Sequence, residues 1–459
     1  MREVGIKVDC SRRVADLPIV WFEVEDFLRY FDHFQRPTGT QRVPLEIFSE
    51  AERHYSHTGR VRFCRLSAYT NRFQLVDFNF IMSTYLNPPG IDSPLGKTRP
   101  DRSQGTLREI SRTIGRLPRY ASRVTRTAVR DFLEARRQQR RFEQLMTPGD
   151  IVVSLGASWG IPGYGRHIAA AKKKYGFKFS ILIHDIIPLA NDAFVDQRHA
   201  ARFGNWLHEM ISNADMVLTV SKYSRDDLLR LSAPARWSLP PIEVLEMGAG
   251  FTSWQTIGRN DIRLPERFVL FVSTIEIRKN HRLLVRLWRR LLEQHDAADV
   301  PELVFAGRVG WLIDDLLADL AATNYLGGKV VMLNDLSDVE LRETIQSCLF
   351  TVFPSLCEGW GLPVAESLVH GKFCVASNRT SLPEVAGDLI DYFDPTNEDD
   401  ALEKIRRVLF DPDYLAAREE RLRTEYRPPS WANCTHKLIG TLEQLTRAPE
   451  AMTILESTG

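Results

Sequence analysis

The chain has 459 residues, enough for two or three domains that each bury a full core, and 60 Lys/Arg nearly balance 59 Asp/Glu. Its apolar and charged fractions, 44% and 26%, are ordinary for a globular protein, and no run of eighteen apolar residues offers a membrane span. The opening MREVGIKVDCSRRV is too polar for a secretory h-region, and Cys10, Cys64, Cys348, Cys357, Cys374 and Cys434 form neither a C-x-x-C pair nor a metal-ligand spacing. Reduced thiols in a cytoplasmic protein are expected.

Taken in order, the first conspicuous feature is charge. From Lys97 to Leu145 there are fourteen Lys/Arg and five Asp/Glu, so this stretch carries +9 and the remainder of a +1 chain carries −8. Arg108, Arg112, Arg116, Arg119, Arg123, Arg126 and Arg130 recur at steps of three or four. Leu107, Ile110, Ile114, Leu117 and Val124 fill another face of the same helical period, and Pro118 kinks or splits it. A solvated surface helix and a helix lying on an anionic membrane both fit this pattern. Nucleic acid fits less well, because no stacking aromatics accompany the arginines.

Apolar β-branched runs follow at 150–156, 178–185, 214–221 and 242–248, with a helical pattern at 198–213. Residues 248–267 lack any period and read as an interdomain linker. Beyond them, strand-like runs at 267–273, 302–307, 329–333, 350–354, 373–377 and 389–393 alternate with helical patterns such as 281–294 and 338–348. Strands apolar on both faces and separated by helices predict parallel sheets covered on two sides. The expected fold is α/β, with two doubly wound, Rossmann-like domains that face each other across a cleft. Residues 1–250 make the N-terminal domain, with a basic helical insertion at about 97–145. Residues 265–430 make the C-terminal domain, and 431–459 a terminal helix and tail.

CEGWGLPVAESLVHG (357–371) follows the run FTVFP and enters a helical pattern with Pro363 at its start. Gly359 and Gly361 permit a tight turn, and the exposed N–H groups of a helix start attract an anion such as phosphate. Glu358 and Glu366 would repel that phosphate but suit hydroxyl donors on either side of it. Two polyols flanking a diphosphate describe a nucleotide-sugar. The plainer alternative is that an acidic residue near a helix start stabilises the helix and does nothing else.

The run PSLCEGWGLPVAESLVHGKFCVASNRTSLPEVAG resembles the signature of the family-4 retaining glycosyltransferases of the GT-B fold, whose hallmark is E-x7-E. The likeness extends through most of 267–395 and takes in HDIIPL (184–189), VSKYSRDDL (220–228) and RPTGTQRV (36–43). It implies that Glu358 contacts the donor sugar and Glu366 the nucleotide ribose. Arg278 and Lys279 of TIEIRKNH would hold the leaving diphosphate, where many relatives carry an Arg at the strand end and this chain has Ser273 and Thr274. Arg308 of AGRVGW is the expected substitute. His184 would lie near the transferred sugar, with Asp185 structural. Gly39 would sit in a glycine-bearing loop that approaches the donor and Arg42 would orient that loop. Thr274, Gly359, Trp360, Gly361 and Leu362 complete the expected donor site.

The resemblance further implies a front-face reaction that moves a hexose from a nucleoside diphosphate sugar to a glycan hydroxyl. The setting would be bacterial surface polysaccharide assembly on a lipid carrier, at the cytoplasmic face of the inner membrane. TIEIRKNH and GRVGW are most like the mannosyl-transferring subgroup, so GDP-mannose is the first expected donor, with UDP- and dTDP-sugars open. No metal and no cofactor are expected; DPD at 411–413 resembles a metal-binding D-x-D but lies in a polar turn and reads as a helix cap. A non-catalytic nucleotide-sugar-binding subunit, or a GT-B epimerase or phosphorylase, are the alternatives.

Overall fold

A computed structural model describes residues 17–67, 72–88, 133–190, 192–250 and 262–446. Two separate sheets run through them. The first contains β1 (Val20–Glu23), β2 (Val61–Leu66), β3 (Phe73–Val76), β4 (Ile151–Ser154), β5 (Lys178–Ile183), β6 (Met216–Thr219) and β7 (Ile242–Val244). Its order is β3-β2-β1-β4-β5-β6-β7, and every neighbouring pair is parallel except β2 with β3. The second contains β8 (Phe268–Val272), β9 (Glu302–Ala306), β10 (Val330–Leu333), β11 (Thr351–Phe353), β12 (Cys374–Ser377) and β13 (Asp391–Phe393). It is wholly parallel, in the order β10-β9-β8-β11-β12-β13. Both expected doubly wound domains are present. The strands β1, β2 and β3 were not anticipated, and β7 is shorter than the run 242–248 from which it was read.

Each sheet is buried on both faces by helices, as the continuous apolar strands require. The helix His281–Gln294 shows the rule: Leu283, Leu284, Leu287, Trp288 and Leu291 fill the second domain's core. Its outer arginines, Arg282, Arg286, Arg289 and Arg290, pair with Asp315, Glu398, Asp319 and Asp399. The helix Trp431–Glu443 then leaves the second domain. Trp431, Cys434, Leu438, Ile439 and Leu442 bury themselves in the core of the first domain, beside the helix Gly39–Tyr55.

The arginine stripe at 107–130 lies outside the described residues. Residues 133–145 are helical, and Phe142 there packs edge-on to Trp21 and flat on Phe73. Among the described residues no helix is long and apolar enough to cross a membrane. Asp411 caps the helix Pro412–Glu425 by accepting from the Tyr414 N–H at 2.9 Å, the role expected of the DPD turn.

Candidate functional site

A cleft of about 400 Å³ opens between the domains at the carboxyl ends of their strands. In the second sheet, β8 and β11 are neighbours at the point where strand order reverses. The loop after β8 carries Thr274, Arg278 and Lys279, and the loop after β11 carries Glu358 to Gly361. His184 follows β5 of the first sheet. Of the thirteen positions singled out as candidate site residues or as orienting them, all line this one cleft: Gly39, Arg42, His184, Thr274, Arg278, Lys279, Arg308, Glu358, Gly359, Trp360, Gly361, Leu362 and Glu366.

The glycine turn is built for close approach. A Cβ on Gly359 would stand 2.3 Å from the carbonyl oxygen of His184, across the domain boundary. Gly361 has φ +126° and caps the helix Leu362–Val369, in which Pro363 is the second residue. The Gly359 carbonyl accepts from Ser221 Oγ at 2.7 Å and Ser224 Oγ at 3.2 Å, and Leu362 enters the core of the first domain.

Gly39 corrects an expectation. The family likeness implies a loop at RPTGTQRV, but Gly39 is the first residue of the seventeen-residue helix Gly39–Tyr55. Thr38 precedes it in extended conformation, and Pro44 lies inside the helix, where it cannot donate the usual i to i−4 hydrogen bond. A Cβ at Gly39 would be 3.5 Å from Leu362 Cδ1. Two helix starts from opposite domains therefore abut in the cleft and add their positive ends there.

Glu358 is the electrostatic centre of the cleft. Lys279 Nζ reaches its Oε1 at 2.6 Å and Arg278 NH1 its Oε2 at 2.9 Å, while Arg278 Nε holds Glu276 at 2.8 Å. Burial pushes the Glu358 carboxyl up, but Arg278 and then Lys279 outweigh it and hold the group down at about 2. Burial and Arg278 lower the Lys279 ammonium, and the Glu358 carboxylate at 2.6 Å opposes them.

Glu366 sits differently. Burial drives its carboxyl up to about 7, against the pull of Arg42 and with the push of Asp338 and Glu46. Arg42, from the first turn of its helix, pairs with Asp338 at 2.6 Å and approaches Glu366 at 3.7 Å.

His184 Nε2 lies 2.8 Å from the carbonyl oxygen of Leu155. A carbonyl only accepts, so Nε2 carries the hydrogen and Nδ1 keeps its lone pair. Burial lowers the imidazole pKa, with the Leu155 bond and Asp185 opposing, so the ring is neutral. Asp185 accepts from the Ile187 N–H at 3.0 Å, at the start of the short helix Ile187–Ala190. Arg308 crosses the cleft: NH1 donates to Tyr30 Oη at 3.2 Å and the guanidinium lies 4.2 Å from the Phe34 ring centre. Ser273 is buried against His281 Nε2 at 3.3 Å.

Sequence reasoning missed Glu276 and Asp338 as parts of this cleft, and Tyr85, Ser221 and Ser224 as side chains that hold its lining residues. Asp338 had a usable signal, since S-D-V-E at 337–340 is a capping box that marks a helix start. Tyr85 had none. Among the described residues no group of three His, Cys, Asp or Glu side chains is placed to hold a metal ion.

Residues 253–426 match the family described as "Glycosyl transferases group 1". The chain is 30% identical over 249 residues to O-antigen chain mannosyltransferase B of Escherichia coli, which covers 52% of this chain and 63% of that one. It is 27% identical over 288 residues to the serotype-specific mannosyltransferase WbdA of Escherichia coli, covering 59% of this chain and 34% of that one. The alignments thus span about three fifths and one third of these relatives. Sucrose-phosphate synthase from Thermosynechococcus elongatus shares the fold, with a TM-score of 0.56 at 15% identity over 93% of this chain and 99% of that one. The two-domain architecture is that of the GT-B fold.

Proposed function

We propose that this chain is a retaining, metal-independent glycosyltransferase that moves mannose from GDP-mannose to a hydroxyl of a lipid-linked glycan. The observation that carries the reading is the cluster of Arg278, Lys279 and Glu358 beside two abutting helix starts, with a neutral His184 on the cleft's other wall. The cations and helix N–H groups suit a diphosphate, and they act most strongly as charge develops on its leaving oxygen. The carboxylate of Glu358 and the Nδ1 lone pair of His184 suit hydroxyls of the transferred sugar, and Glu366 suits the ribose. In the reaction the bond from the anomeric carbon to phosphate breaks and the bond to the acceptor oxygen forms on the same face. The acceptor's proton ends on the departing diphosphate, so no side chain becomes covalently bound. Mannose and a surface polysaccharide are favoured by the names of the two Escherichia coli relatives.

The test is to incubate the protein with GDP-mannose and a mannose-terminated lipid-linked acceptor in EDTA, then read the anomeric proton by NMR. An α linkage formed without metal is expected. A β linkage overturns retention, and activity that requires added Mg²⁺ or Mn²⁺ overturns metal independence.

A lipid-borne acceptor also favours the membrane reading of the 107–130 arginine stripe, and with it a cytoplasmic-face location. Each basic residue near an anionic surface contributes about 1 kcal/mol. Anionic vesicles should co-sediment the wild type more than a variant with Arg112, Arg116, Arg119 and Arg123 changed to glutamine, and more so at low salt. Equal pelleting of the two proteins returns the stripe to a solvated surface.

A further inference from the structure

One buried charge cluster in the cleft has no part in the chemistry above. Arg42, 6% exposed, belongs to the first domain, yet its NH2 donates to Asp338 of the second at 2.6 Å. The other Asp338 oxygen accepts from Tyr85 Oη at 2.7 Å, and Tyr85 is 1% exposed. A carboxylate of one domain is thus gripped by two side chains of the other, from separate helices, Gly39–Tyr55 and Phe78–Leu86.

The grip is fixed on both sides. Asp338 is the first residue of the helix Asp338–Ser347, whose start is locked by a capping box: Glu340 N–H donates to Ser337 Oγ at 3.2 Å, and Ser337 N–H to Glu340 Oε2 at 2.6 Å. Asp77 caps the helix that carries Tyr85 by accepting from the Asn79 N–H at 2.8 Å. The same guanidinium has its Nε 3.7 Å from Glu366 Oε1. The charged groups that face Glu366 are Arg42 and Glu46 from one helix and Asp338 from another, and Arg36 acts in turn on Asp338.

We propose that Arg42, Asp338 and Tyr85 form an interdomain latch, with Arg42 as a positioning residue that holds the Glu366 carboxylate in place, so that domain closure and readiness of Glu366 for a donor hydroxyl are one event. The part played by Glu366 rests on the donor-site reading above; the latch itself does not. Arg42 is the nearest cation to a carboxyl that burial pushes up to about 7, with two further carboxyls beside it. Removing that cation raises the carboxyl further, so Glu366 stays protonated at neutral pH and no longer accepts as an anion.

GDP and UDP are titrated calorimetrically onto the full chain and its Arg42→Gln, Arg42→Lys and Tyr85→Phe variants between pH 6 and 9. Wild-type affinity for the nucleotide that binds should weaken as pH falls through about 7. Arg42→Gln should lose about fivefold at pH 7, the effect of raising a group near 7 by one further unit, and regain affinity toward pH 9. Arg42→Lys keeps the charge and should keep the wild-type profile. A loss in Arg42→Gln that is equal at every pH, or no loss, overturns the positioning role. Hydrogen exchange without nucleotide tests the latch separately. Tyr85→Phe should raise exchange at both 39–43 and 338–342, and unchanged exchange at either segment overturns it. If neither nucleotide binds the wild type, the donor-site reading and the Glu366 role fall together, and the exchange result alone decides the latch.

Discussion

Glu358 is a buried carboxylate held by cations on both of its oxygens. It is 7% exposed and held by two cations, of which Arg278 keeps a second partner in Glu276 and Lys279 has Glu358 at the shortest distance. Glu358→Gln leaves Lys279 buried against a neutral amide. Breaking a buried pair from one side costs about 3–5 kcal/mol, and the Arg278–Glu276 contact keeps this case toward the lower figure. The sign of the pH dependence follows from the depressed carboxyl. Its folded value of about 2 lies below the ordinary 4.5, so the stabilisation is complete above about 4.5 and is lost as pH falls toward 2. Thermal melts at pH 7 should therefore separate wild type from Glu358→Gln, and melts near pH 2 should bring them together. A gap of constant size across that range would show that Glu358 is not an ionised partner in the fold. Transfer by Glu358→Gln should fall at least about a hundredfold at pH 7, mostly in kcat, if the carboxylate serves the transition state.

At the scale of elements, what was legible follows from length and period. The second domain's strands are flanked by amphipathic helices such as His281–Gln294, and all six were visible as apolar runs. In the first domain VWFE and FQLV are four residues each, too few for alternation to stand out, and VRFCRL places arginines on its half-buried positions. The helix Gly39–Tyr55 was hidden for another reason: a glycine start and an internal Pro44 are both turn signals, overridden here by a long buried face from Val43 to Ala51. The site divides in the same way. Residues on the glycine turn and the basic loop announce themselves because turn chemistry and charge are local. The Arg42–Asp338–Tyr85 contact joins positions separated by 296 and 253 residues, and no local pattern encodes which buried arginine meets which buried carboxylate.

For the whole molecule, the chain passes between domains twice, at 245–268 and near 426–431, and the described parts of these passages run side by side. Ala249 N–H donates to the Pro429 carbonyl at 3.1 Å and Trp431 Nε1 to the Gly250 carbonyl at 3.0 Å. A Cβ on Gly248 would come within 2.5 Å of the Trp431 ring, so the indole is seated directly on the first crossing. Trp431 is 4% exposed and begins the helix that completes the first domain's core, although it follows the second domain in sequence. Stability of the first domain therefore depends on a segment that follows the second domain in sequence. Trp431→Ala should cost about 3–5 kcal/mol, the usual range for a large aromatic lost from a core. In a domain of this size that lowers the melting temperature by roughly 6–20 °C. The loss should fall on the first domain, because the second domain's core cluster does not include Trp431. Hydrogen exchange followed through a thermal ramp resolves the two: amides of β1, β4 and β5 should lose protection earlier than in wild type, and those of β8, β9 and β12 should not. Equal early loss in both sheets would mean that the domains unfold as one cooperative unit, and unchanged protection in β1, β4 and β5 would mean that the terminal helix is not part of the first domain's core.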